Sequence, residues 1–332
     1  MQDCKTIEPL FLMCPPDYYS ISGPDKNGIY ANKFAEVNHL EYNKNPEGFL
    51  KAAHRQWTDY RDTLNKVGAK TVELEPVQGI SDMVFTADPT LSMVLCNDNQ
   101  AVTISSRFSF TERQVEVDQS VNFIKNFDPD RKIIASEFFS EGTGDNYYDP
   151  FRDIFWCGYA KNPCRQNASA GRSDIRSHQK LQDVTGVPTI SMAVKEPFFH
   201  VDTCMAPLSK GHIIVYKGGM EPSAYETLIR EAFQRFGMDP KEYLIQVDDE
   251  DAKRYACNMR NIDDTIIMPQ VSDDLQATLK AKGYDVITLD VSCFINDGGA
   301  MHCLTNNLNE KRIPGGNAVR YGFERQEILE EI

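Results

Sequence analysis

The sequence predicts an α/β protein built from repeated units, and three observations support that prediction. Short strand-like runs alternate with helical patterns along the 332 residues, which is typical of an α/β fold. Polar residues recur behind apolar runs: Asp82, Glu141, His200 and Asn258 are 59, 59 and 58 residues apart, and Cys303 follows 45 residues later. No linker or low-complexity segment divides the chain. Length alone suggests about two domains. The spacing is compatible with coincidence, or with a closed ring of five ββαβ units of roughly 60 residues.

Eight strands and four helices are predicted in chain order. The last helix ends at Lys282 and Gly283, a common stop signal. The polar stretch 160–180 is expected to be an ordered loop or insertion that runs into a helix. The predicted strands cover 71–74, 90–94, 101–104, 132–135, 154–157, 213–216, 265–268 and 285–289. The predicted helices cover 47–67, 113–127, 223–236 and 273–282.

Composition and charge narrow the classes of protein to which the chain belongs. With 41% hydrophobic and 25% charged residues, disorder, collagen and small disulfide scaffolds are excluded. The net charge of −14 argues against a nucleic-acid partner and against docking on anionic membranes. No apolar run is long enough to span a membrane, and the N-terminus does not have the pattern of a signal peptide. We therefore expect a cytoplasmic protein, and its acidity is compatible with a cationic small substrate.

The nine cysteines are expected to be mostly buried, reduced thiols. They form no CxxC pair and no Cys/His set with zinc spacing. Cys303 differs because Gly298 and Gly299 precede it, and such glycines allow a ligand to approach the backbone closely. It is either a nucleophile or a buried thiol near a turn. The neighbouring His302 is not expected to be its base, because adjacent side chains of an extended segment face opposite sides.

His200 and Asp202 are two residues apart in an apolar segment. On an extended backbone their side chains share one face, so they could supply a general acid/base and a carboxylate to one pocket. The alternatives are a hydrogen-bonded structural histidine, or two ligands of a metal. No third ligand stands in a comparable context, so no metal is predicted.

Asp82 and Asp88 flank the apolar residues 83–85. This pattern predicts a strand whose ends present carboxylates, although both residues could also be turn or cap residues. Glu141 begins the segment 141–145, which resembles part of a phosphate-binding loop but lacks its third glycine. Dinucleotide binding is therefore rejected. Arg107 and Arg172 stand beside small polar residues, and each is either a bidentate carboxylate ligand or an ordinary surface arginine.

Taken together, these motifs resemble the guanidine-modifying (pentein) superfamily, which contains arginine deiminases, dimethylarginine dimethylaminohydrolases, arginine dihydrolases and amidinotransferases. The resemblance implies a five-bladed α/β propeller of ββαβ repeats with pseudo-fivefold symmetry, as one catalytic domain over residues 1–332. Seven segments in family order carry it: 12–16, 82–88, 112–116, 141–145, 199–204, 255–258 and 298–305.

The resemblance also implies a role for each candidate of the reacting centre. Cys303 is similar to the family's nucleophile and His200 to its general acid/base. Glu141 is similar to the acidic residue that orients the histidine. Asp88 and Asp202 resemble the carboxylates that hold the substrate guanidinium.

Substrate-binding residues outside the reacting centre are predicted in the same way. Arg107, 19 residues after Asp88, resembles the arginine that holds the substrate α-carboxylate. Arg172 resembles a second such arginine, but extra residues precede it, so Arg165 is an alternative. Asp82 and Asn258 complete the predicted substrate-binding set.

The predicted function is hydrolysis of L-arginine or a close guanidino analogue. Attack by Cys303 would give a covalent S-alkylthiouronium and then a ureido product such as citrulline, with ammonia or an amine. An amidinotransferase, an arginine dihydrolase that yields ornithine, and a dimethylarginine dimethylaminohydrolase are alternatives. Some dihydrolase-like relatives carry Asn at the position of Asp88, so Asp88 argues against the arginine dihydrolase. Asp202 and Ala87 argue against the dimethylarginine dimethylaminohydrolase.

A non-enzymatic binding protein of the same fold is the most distant alternative, because the Cys, His and acidic residues are all present. The predicted partner is a small guanidino amino acid. No cofactor is expected, and a homo-oligomer is compatible with the sequence.

Overall fold

The structure is a computed structural model that describes residues 8–25, 28–95, 100–159 and 172–326. The strands within these ranges are β1 (Leu10–Met13), β2 (Lys70–Glu73), β3 (Thr90–Val94), β4 (Ala101–Ser105), β5 (Lys132–Ala135), β6 (Asn146–Asp149), β7 (Ile154–Tyr159), β8 (Thr189–Ala193), β9 (Met205–Pro207), β10 (Ile213–Val215), β11 (Leu244–Gln246), β12 (Arg260–Ile262), β13 (Thr265–Pro269), β14 (Asp285–Leu289) and β15 (Asn306–Asn307). The α-helices are α1 (Lys33–Tyr42), α2 (Pro46–Lys66), α3 (Gln114–Phe127), α4 (Gly142–Asp145), α5 (Arg176–Thr185), α6 (Pro222–Leu228), α7 (Pro240–Tyr243), α8 (Asp249–Lys253), α9 (Asp273–Ala281) and α10 (Ser292–Ile295).

These strands form five three-stranded sheets with one recurring topology. In β3-β4-β5, the first two strands pair antiparallel, and the third pairs parallel with the second after the crossover through α3. The sheets β6-β7-β8, β9-β10-β11 and β12-β13-β14 repeat this order. The predicted ββαβ unit is therefore confirmed in the described residues.

The fifth sheet joins segments from opposite ends of the described chain. Its central strand β1 pairs antiparallel with β15 and parallel with β2. Leu12 is thus opposite Asn306 on one side and Val72 on the other. This sheet has the same strand arrangement as the other four, except that its first strand comes from the end of the chain.

All eight predicted strands and all four predicted helices are present, with bounds within two residues for all but one. The exception is the helix predicted over 223–236, which is α6 followed by a π-helical turn, Ile229–Phe233, and a 3-10 turn, Gln234–Phe236. The remaining seven strands, including β1, β9 and β15, were not predicted. Most contain two to four residues, too few to show a period.

Helix α2 fixes the segment that carries Cys303. Its N-terminus is capped by Asn45, which accepts a hydrogen bond from the Gly48 N–H. The buried residues on its inner face include Trp57 and Tyr60. The Tyr60 hydroxyl donates to the Met301 carbonyl over 2.9 Å, so the helix is linked directly to the turn before the cysteine.

Six cysteines lie in the described residues, and all six are buried free thiols. Burial raises the pKa of each of these thiols, which confirms the prediction of buried thiols for this part of the chain. Cys4, Cys96 and Cys164 lie outside the described residues. No helix of the described ranges is both long and apolar enough to cross a membrane.

Candidate active site

The five sheets place polar residues at equivalent positions in the chain. Asp88 precedes β3, Glu141 precedes β6, His200 precedes β9, Asn258 precedes β12 and Cys303 precedes β15, each by two to five residues. The first strand of each sheet thus follows a loop that presents a candidate residue. Glu141, His200 and Asn258, which are 59 and 58 residues apart in the sequence, therefore occupy equivalent positions. Asp82, the first of the spaced residues, lies in the 3-10 turn Ser81–Val84 that precedes Asp88.

A pocket bordered by Asp88 and Cys303 lies where these loops meet. Its wall includes a thiol, carboxylates and two guanidinium groups, supplied by Cys303, Asp82, Asp88, Asp297, Arg113 and Arg172. Such a mixture of convergent polar and titratable groups is typical of a small-molecule site.

Cys303 is held on a tight turn, and only 2% of its surface is exposed. Gly298 has φ +93°, and a Cβ on Gly299 would stand 2.4 Å from the ring of Phe85, so both positions require glycine. Asn258 braces the turn. Its Oδ1 accepts from the Ala300 and Cys303 N–H groups over 2.9 and 3.2 Å, and its Nδ2 lies 3.1 Å from the cysteine sulfur.

The predicted strand over 83–85 is wrong. Ser81–Val84 form a 3-10 turn, because the carboxylates at its ends are held by one cation and not by a sheet. Arg113 lies 3.5 Å from Asp82 Oδ2 and 3.0 Å from Asp88 Oδ2. It also forms two hydrogen bonds of 2.8 Å to Glu116. This fixes one oxygen of Asp88, while its Oδ1 is buried without a hydrogen-bond partner.

His200 and Glu141 form a buried hydrogen-bonded pair. The His200 Nε2 lies 2.8 Å from Glu141 Oε2, and Ser109 donates to Oε1 through its backbone N–H and its hydroxyl. Burial alone would raise the pKa of Glu141, but the positive charge of Arg172 and the hydrogen bond from His200 lower it to about 2. The second nitrogen of His200, Nδ1, has no hydrogen-bond partner and lies 3.7 Å from Asp88 Oδ1.

The charge of His200 is controlled by the carboxylates around it. Burial alone would lower its pKa, but the negative charges of Asp88, Asp145 and Glu141 raise it to about 9. His200 therefore carries a proton at neutral pH, as a general acid requires.

Asp202 lies between His302 and Cys303. The expectation of one extended segment through residues 200–202 is wrong beyond His200, because Val201–Thr203 form a single 3-10 turn. The turn brings Asp202 Oδ2 within 3.4 Å of the Cys303 sulfur and 2.8 Å of the His302 Nδ1. Burial raises the pKa of Asp202 to about 8, with the charge of Asp88 adding to the effect and that of His200 opposing it.

Five atoms around the pocket are buried without a hydrogen-bond partner among the described residues: Asp88 Oδ1, Asp202 Oδ1, Asp297 Oδ2, His200 Nδ1 and Arg172 Nε. Buried polar groups are nearly always paired in proteins. Three of the five belong to carboxyl groups, so the arrangement favours a cationic ligand with several N–H donors.

The predicted arginines lie in different surroundings. Arg172 is buried on the pocket wall, donates to Glu141 Oε2 over 3.3 Å and to the Ala31 carbonyl over 2.6 Å, and has an unpartnered Nε. Arg107 is exposed outside this wall and donates to the Glu137 carbonyl over 2.6 Å. Arg165 lies outside the described residues.

Two pocket residues were missed by the sequence analysis. Arg113 lies in the segment 112–116 that carried part of the resemblance, but no role was assigned to it. Asp297 lies beside the Gly298 turn and is buried, and its Oδ2 has no hydrogen-bond partner. Burial and the charge of Asp82 raise its pKa well above the usual range. Its place directly before two glycines and Cys303 was an available signal.

Among the described residues, no group of three or more His, Cys, Asp or Glu side chains is arranged to hold a metal ion. The reactive groups of the site are a thiol, a protonated imidazole and carboxylates.

Comparisons with known proteins agree with this geometry. The family model described as "N,N dimethylarginine dimethylhydrolase, eukaryotic" matches residues 32–310. The chain is 29% identical over 309 residues to the bifunctional arginine dihydrolase/ornithine cyclodeaminase ArgZ of Synechocystis sp., a match that covers 93% of this chain and 39% of ArgZ. It is 25% identical to the dimethylarginine dimethylaminohydrolase of Mycobacterium tuberculosis, over 78% of this chain and 77% of that protein.

The fold is also similar to that of a solved structure. The N-terminal domain of ArgZ, bound to product, superimposes with a TM-score of 0.75 at 26% identity, over 93% of this chain and 100% of that domain. The chain thus spans about two fifths of full-length ArgZ, and the solved part that it matches is the N-terminal domain of that protein.

Proposed function

Because the chain belongs to the eukaryotic N,N-dimethylarginine dimethylhydrolase family, we propose that it is a cysteine-dependent hydrolase of a guanidino amino acid. The proposed substrate is L-arginine or a close analogue. The products are a ureido amino acid such as citrulline and ammonia or an amine.

One observation carries the proposal. The unpartnered Oδ1 atoms of Asp88 and Asp202 border the region of the Cys303 sulfur. A guanidinium is a planar cation with several N–H donors, and it would satisfy both oxygens at once. Held in this way, its central carbon would be presented to the sulfur.

The amino-acid end of the substrate meets the opposite wall of the pocket. Arg172 is the proposed ligand of the α-carboxylate, because it lines the pocket and keeps one unpartnered N–H. Arg107 remains a predicted second ligand, which in this structure lies outside the wall. Asp82 is the proposed acidic neighbour of the substrate, whereas Asn258 acts on Cys303 rather than on the substrate.

The first half of the reaction begins with ionisation of Cys303. In the free protein, burial and the charges of Asp202 and Asp88 raise the pKa of the thiol well above its usual range. A bound guanidinium offsets both negative charges, so the thiol loses its proton to solvent more easily. The thiolate then attacks the guanidino carbon, and the C–N double bond opens to give a tetrahedral adduct.

His200 completes both halves of the reaction. Its Nδ1 proton is donated to the departing nitrogen as the C–N bond breaks, which leaves the S-alkylthiouronium on Cys303. The neutral imidazole then accepts a proton from water. The resulting hydroxide adds to the same carbon. The C–S bond then breaks, the sulfur leaves as a thiolate and takes up the hydroxyl proton, and the ureido product is released. Glu141 holds the ring through Nε2 during both transfers.

Structures of the relative support a covalent route. The N-terminal domain of ArgZ has been solved covalently bound to a reaction intermediate and, separately, bound to substrate. The match to this arginine dihydrolase favours a second candidate function, in which a further hydrolysis converts the ureido product to ornithine. Asp88 argues for the single hydrolysis, since Arg113 holds it as a carboxylate.

We also infer that the five sheets are the blades of one five-bladed α/β propeller with pseudo-fivefold symmetry. The recurring strand order and the equivalent position of a site residue before each first strand support this arrangement. Residues 1–332 would then form a single catalytic domain, in which each blade supplies a residue to one pocket.

The test is an assay of arginine, methylarginines, agmatine and citrulline with products identified by mass spectrometry. We expect citrulline from arginine, a covalent adduct at Cys303 in quenched reactions, and no product from Cys303→Ser. Ornithine as the end product would support the dihydrolase, and a product that requires an added amine would indicate an amidinotransferase. Near-normal turnover by Cys303→Ser would refute the mechanism.

A further inference from the structure

His302 is a buried imidazole to which the proposed reaction gives no role. Only 1% of its surface is exposed, and it immediately precedes the proposed nucleophile, Cys303, in the sequence. Its side chain does not line the substrate pocket. Instead, Nδ1 lies 2.8 Å from Asp202 Oδ2, on the side of the carboxylate away from its unpartnered oxygen.

The two oxygens of Asp202 have different surroundings. Oδ2 contacts the His302 Nδ1 and the Cys303 sulfur, at 2.8 and 3.4 Å. Oδ1 is buried and has no hydrogen-bond partner among the described residues. Because the two oxygens share one carbon, a partner that holds Oδ2 restricts where Oδ1 can point. The contact with His302, the shorter of the two, therefore helps to set the direction of Oδ1.

The ring of His302 is itself fixed from several directions. Its centroid lies 4.3 Å from that of Tyr147. Its backbone N–H donates to the Asn258 carbonyl over 3.3 Å, and its carbonyl accepts from Arg260 over 3.2 Å and from the Thr305 N–H over 3.1 Å. The imidazole has little freedom to release Asp202 and turn elsewhere.

The far side of the ring borders a second cavity. Its walls combine apolar side chains with polar ones, which include Arg260, Asn307 and Glu310. On the other side of the ring, Nδ1 faces Asp202 Oδ2 at 2.8 Å. An ionised carboxylate oxygen only accepts hydrogen bonds, which favours the neutral tautomer with its proton on Nδ1.

The electrostatic surroundings agree with a neutral ring. Burial lowers the pKa of His302 well below its usual range, and the positive charges of Arg260 and His200 lower it further. The groups that face the pair from other elements are Asp88, Asp145 and His200 on the Asp202 side and Arg260 and Glu310 on the cavity side.

We propose that His302 is a positioning residue that donates a hydrogen bond from Nδ1 to Asp202 Oδ2 and so aims Asp202 Oδ1 at the substrate guanidinium. The proposal deepens the proposed function and rests on it for the identity of the substrate. The hydrogen bond itself is a property of the free protein and can be observed without substrate.

The first measurement is the ¹⁵N NMR spectrum of the histidine-labelled protein at pH 8.5, where the Asp202 carboxylate, with its pKa of about 8, is mostly ionised. We expect the His302 ring to carry its proton on Nδ1. An unprotonated Nδ1 would overturn the proposal. The NMR measurement tests the hydrogen bond even if the protein converts none of the guanidines tested. That failure would contradict the proposed function but not the hydrogen bond.

The second measurement compares His302→Asn with His302→Leu. The Asn amide keeps an N–H near the position of Nδ1, whereas Leu fills similar space without a donor. We expect kcat/KM to fall about 10- to 100-fold in His302→Leu and less than about threefold in His302→Asn, as for loss of one hydrogen bond to a charged acceptor. Tyr147→Phe, which keeps the ring contact, is the control and should change kcat/KM less than about twofold.

The pH profile separates positioning from a structural role. A hydrogen bond to the ionised carboxylate lowers its pKa, so its loss raises the pKa of Asp202. The acidic limb of kcat/KM should therefore move to higher pH in His302→Leu and stay in place in His302→Asn. Equal losses in the two variants with an unmoved limb would overturn the proposal, and thermal unfolding shows that each variant is folded. If His302→Leu does not fold, the Asn variant and the NMR measurement still decide.

Discussion

Two buried charged centres of this molecule differ in how completely their charged atoms are hydrogen-bonded. Arg152 and Asp149 form an ion pair of 2.8 Å with no exposed surface. The other nitrogens of Arg152 donate to the carbonyls of Ala232 and Gly211. Asp149 accepts hydrogen bonds from two backbone N–H groups and from the indole N–H of Trp156. Every charged atom of this pair has a partner.

The pocket is equally buried but incompletely paired. Asp88, Asp202 and His200 each keep one buried atom without a partner. Desolvating a polar atom without compensation costs stability, so such atoms persist only where something else requires them. The comparison teaches that full pairing of buried charged groups marks a structural centre, whereas several unpaired charged groups that converge on one pocket mark a centre organised around a ligand.

The largest effect on stability is expected at the paired centre. Arg152→Met leaves the Asp149 carboxylate buried without its cation, which typically costs about 3–5 kcal/mol. Denaturant unfolding measures the loss, and the KM of the molecules that remain folded should not change. A loss below about 1 kcal/mol would mean that full pairing is a poor guide to a structural role.

Replacement of a charged residue in the pocket should instead lower activity and leave stability nearly unchanged. At pH 8.5, where Asp202 is mostly ionised, Asp202→Asn removes a buried negative charge, so the free energy of unfolding should stay within about 1 kcal/mol of the wild-type value or rise. Without that carboxylate, kcat/KM should fall about 100- to 1,000-fold. Asp149→Asn is the matched control and should lose stability instead. Destabilisation of Asp202→Asn by several kcal/mol would break the distinction.

Glu141→Gln tests, through the pH dependence of kcat/KM, how the charges of the pocket control His200. His200 has a pKa raised from 6.5 to about 9, so its contribution to stability is complete below about pH 6.5 and is lost as the pH rises through 9. As the general acid, it also sets the alkaline limb of kcat/KM. Removal of the Glu141 charge lowers the pKa of His200, and the limb should move to lower pH by roughly one to two units. An unmoved limb would mean that Glu141 does not control the proton on His200.

The smallest effect is expected behind the pocket, at Ser173. Its hydroxyl donates to Asp145 Oδ2 over 2.6 Å and accepts from the Glu141 N–H over 3.1 Å. Ser173→Ala should cost about 1–2 kcal/mol of unfolding free energy. Ser177→Ala is the control, because its buried hydroxyl has no partner among the described residues, and should stay within about 0.5 kcal/mol. Equal losses in both variants would show that pairing is not what the serine contributes.

Much of the fold was predictable because regular spacing and continuous apolar runs are local properties of the sequence. The strands β3, β5 and β14 were predicted with their observed bounds. In contrast, β15 has two residues, and its existence depends on pairing with β1 at the other end of the chain. No local pattern carries that information.

The central residues of the candidate site were predicted from motifs, but the residues that hold them in place were not. Cys303, His200, Asp88 and Asp202 were named from motifs, and the structure brings them together. Arg113 was missed because an arginine three residues before Glu116 on a helix also fits an ordinary surface pair. Only the fold shows that its guanidinium is buried against Asp82 and Asp88.

The pairing of β1 with β15 has a consequence for how the protein folds during synthesis. Leu12 is synthesised early, but its partner Asn306 follows 294 residues later, so this sheet depends on contacts that are remote in sequence and slow to form. Cys303 lies three residues before β15. A growing polypeptide therefore lacks the proposed nucleophile until the residues up to Cys303 have been synthesised. Under the proposed function, catalytic activity would report that the segments of β1 and β15 have paired.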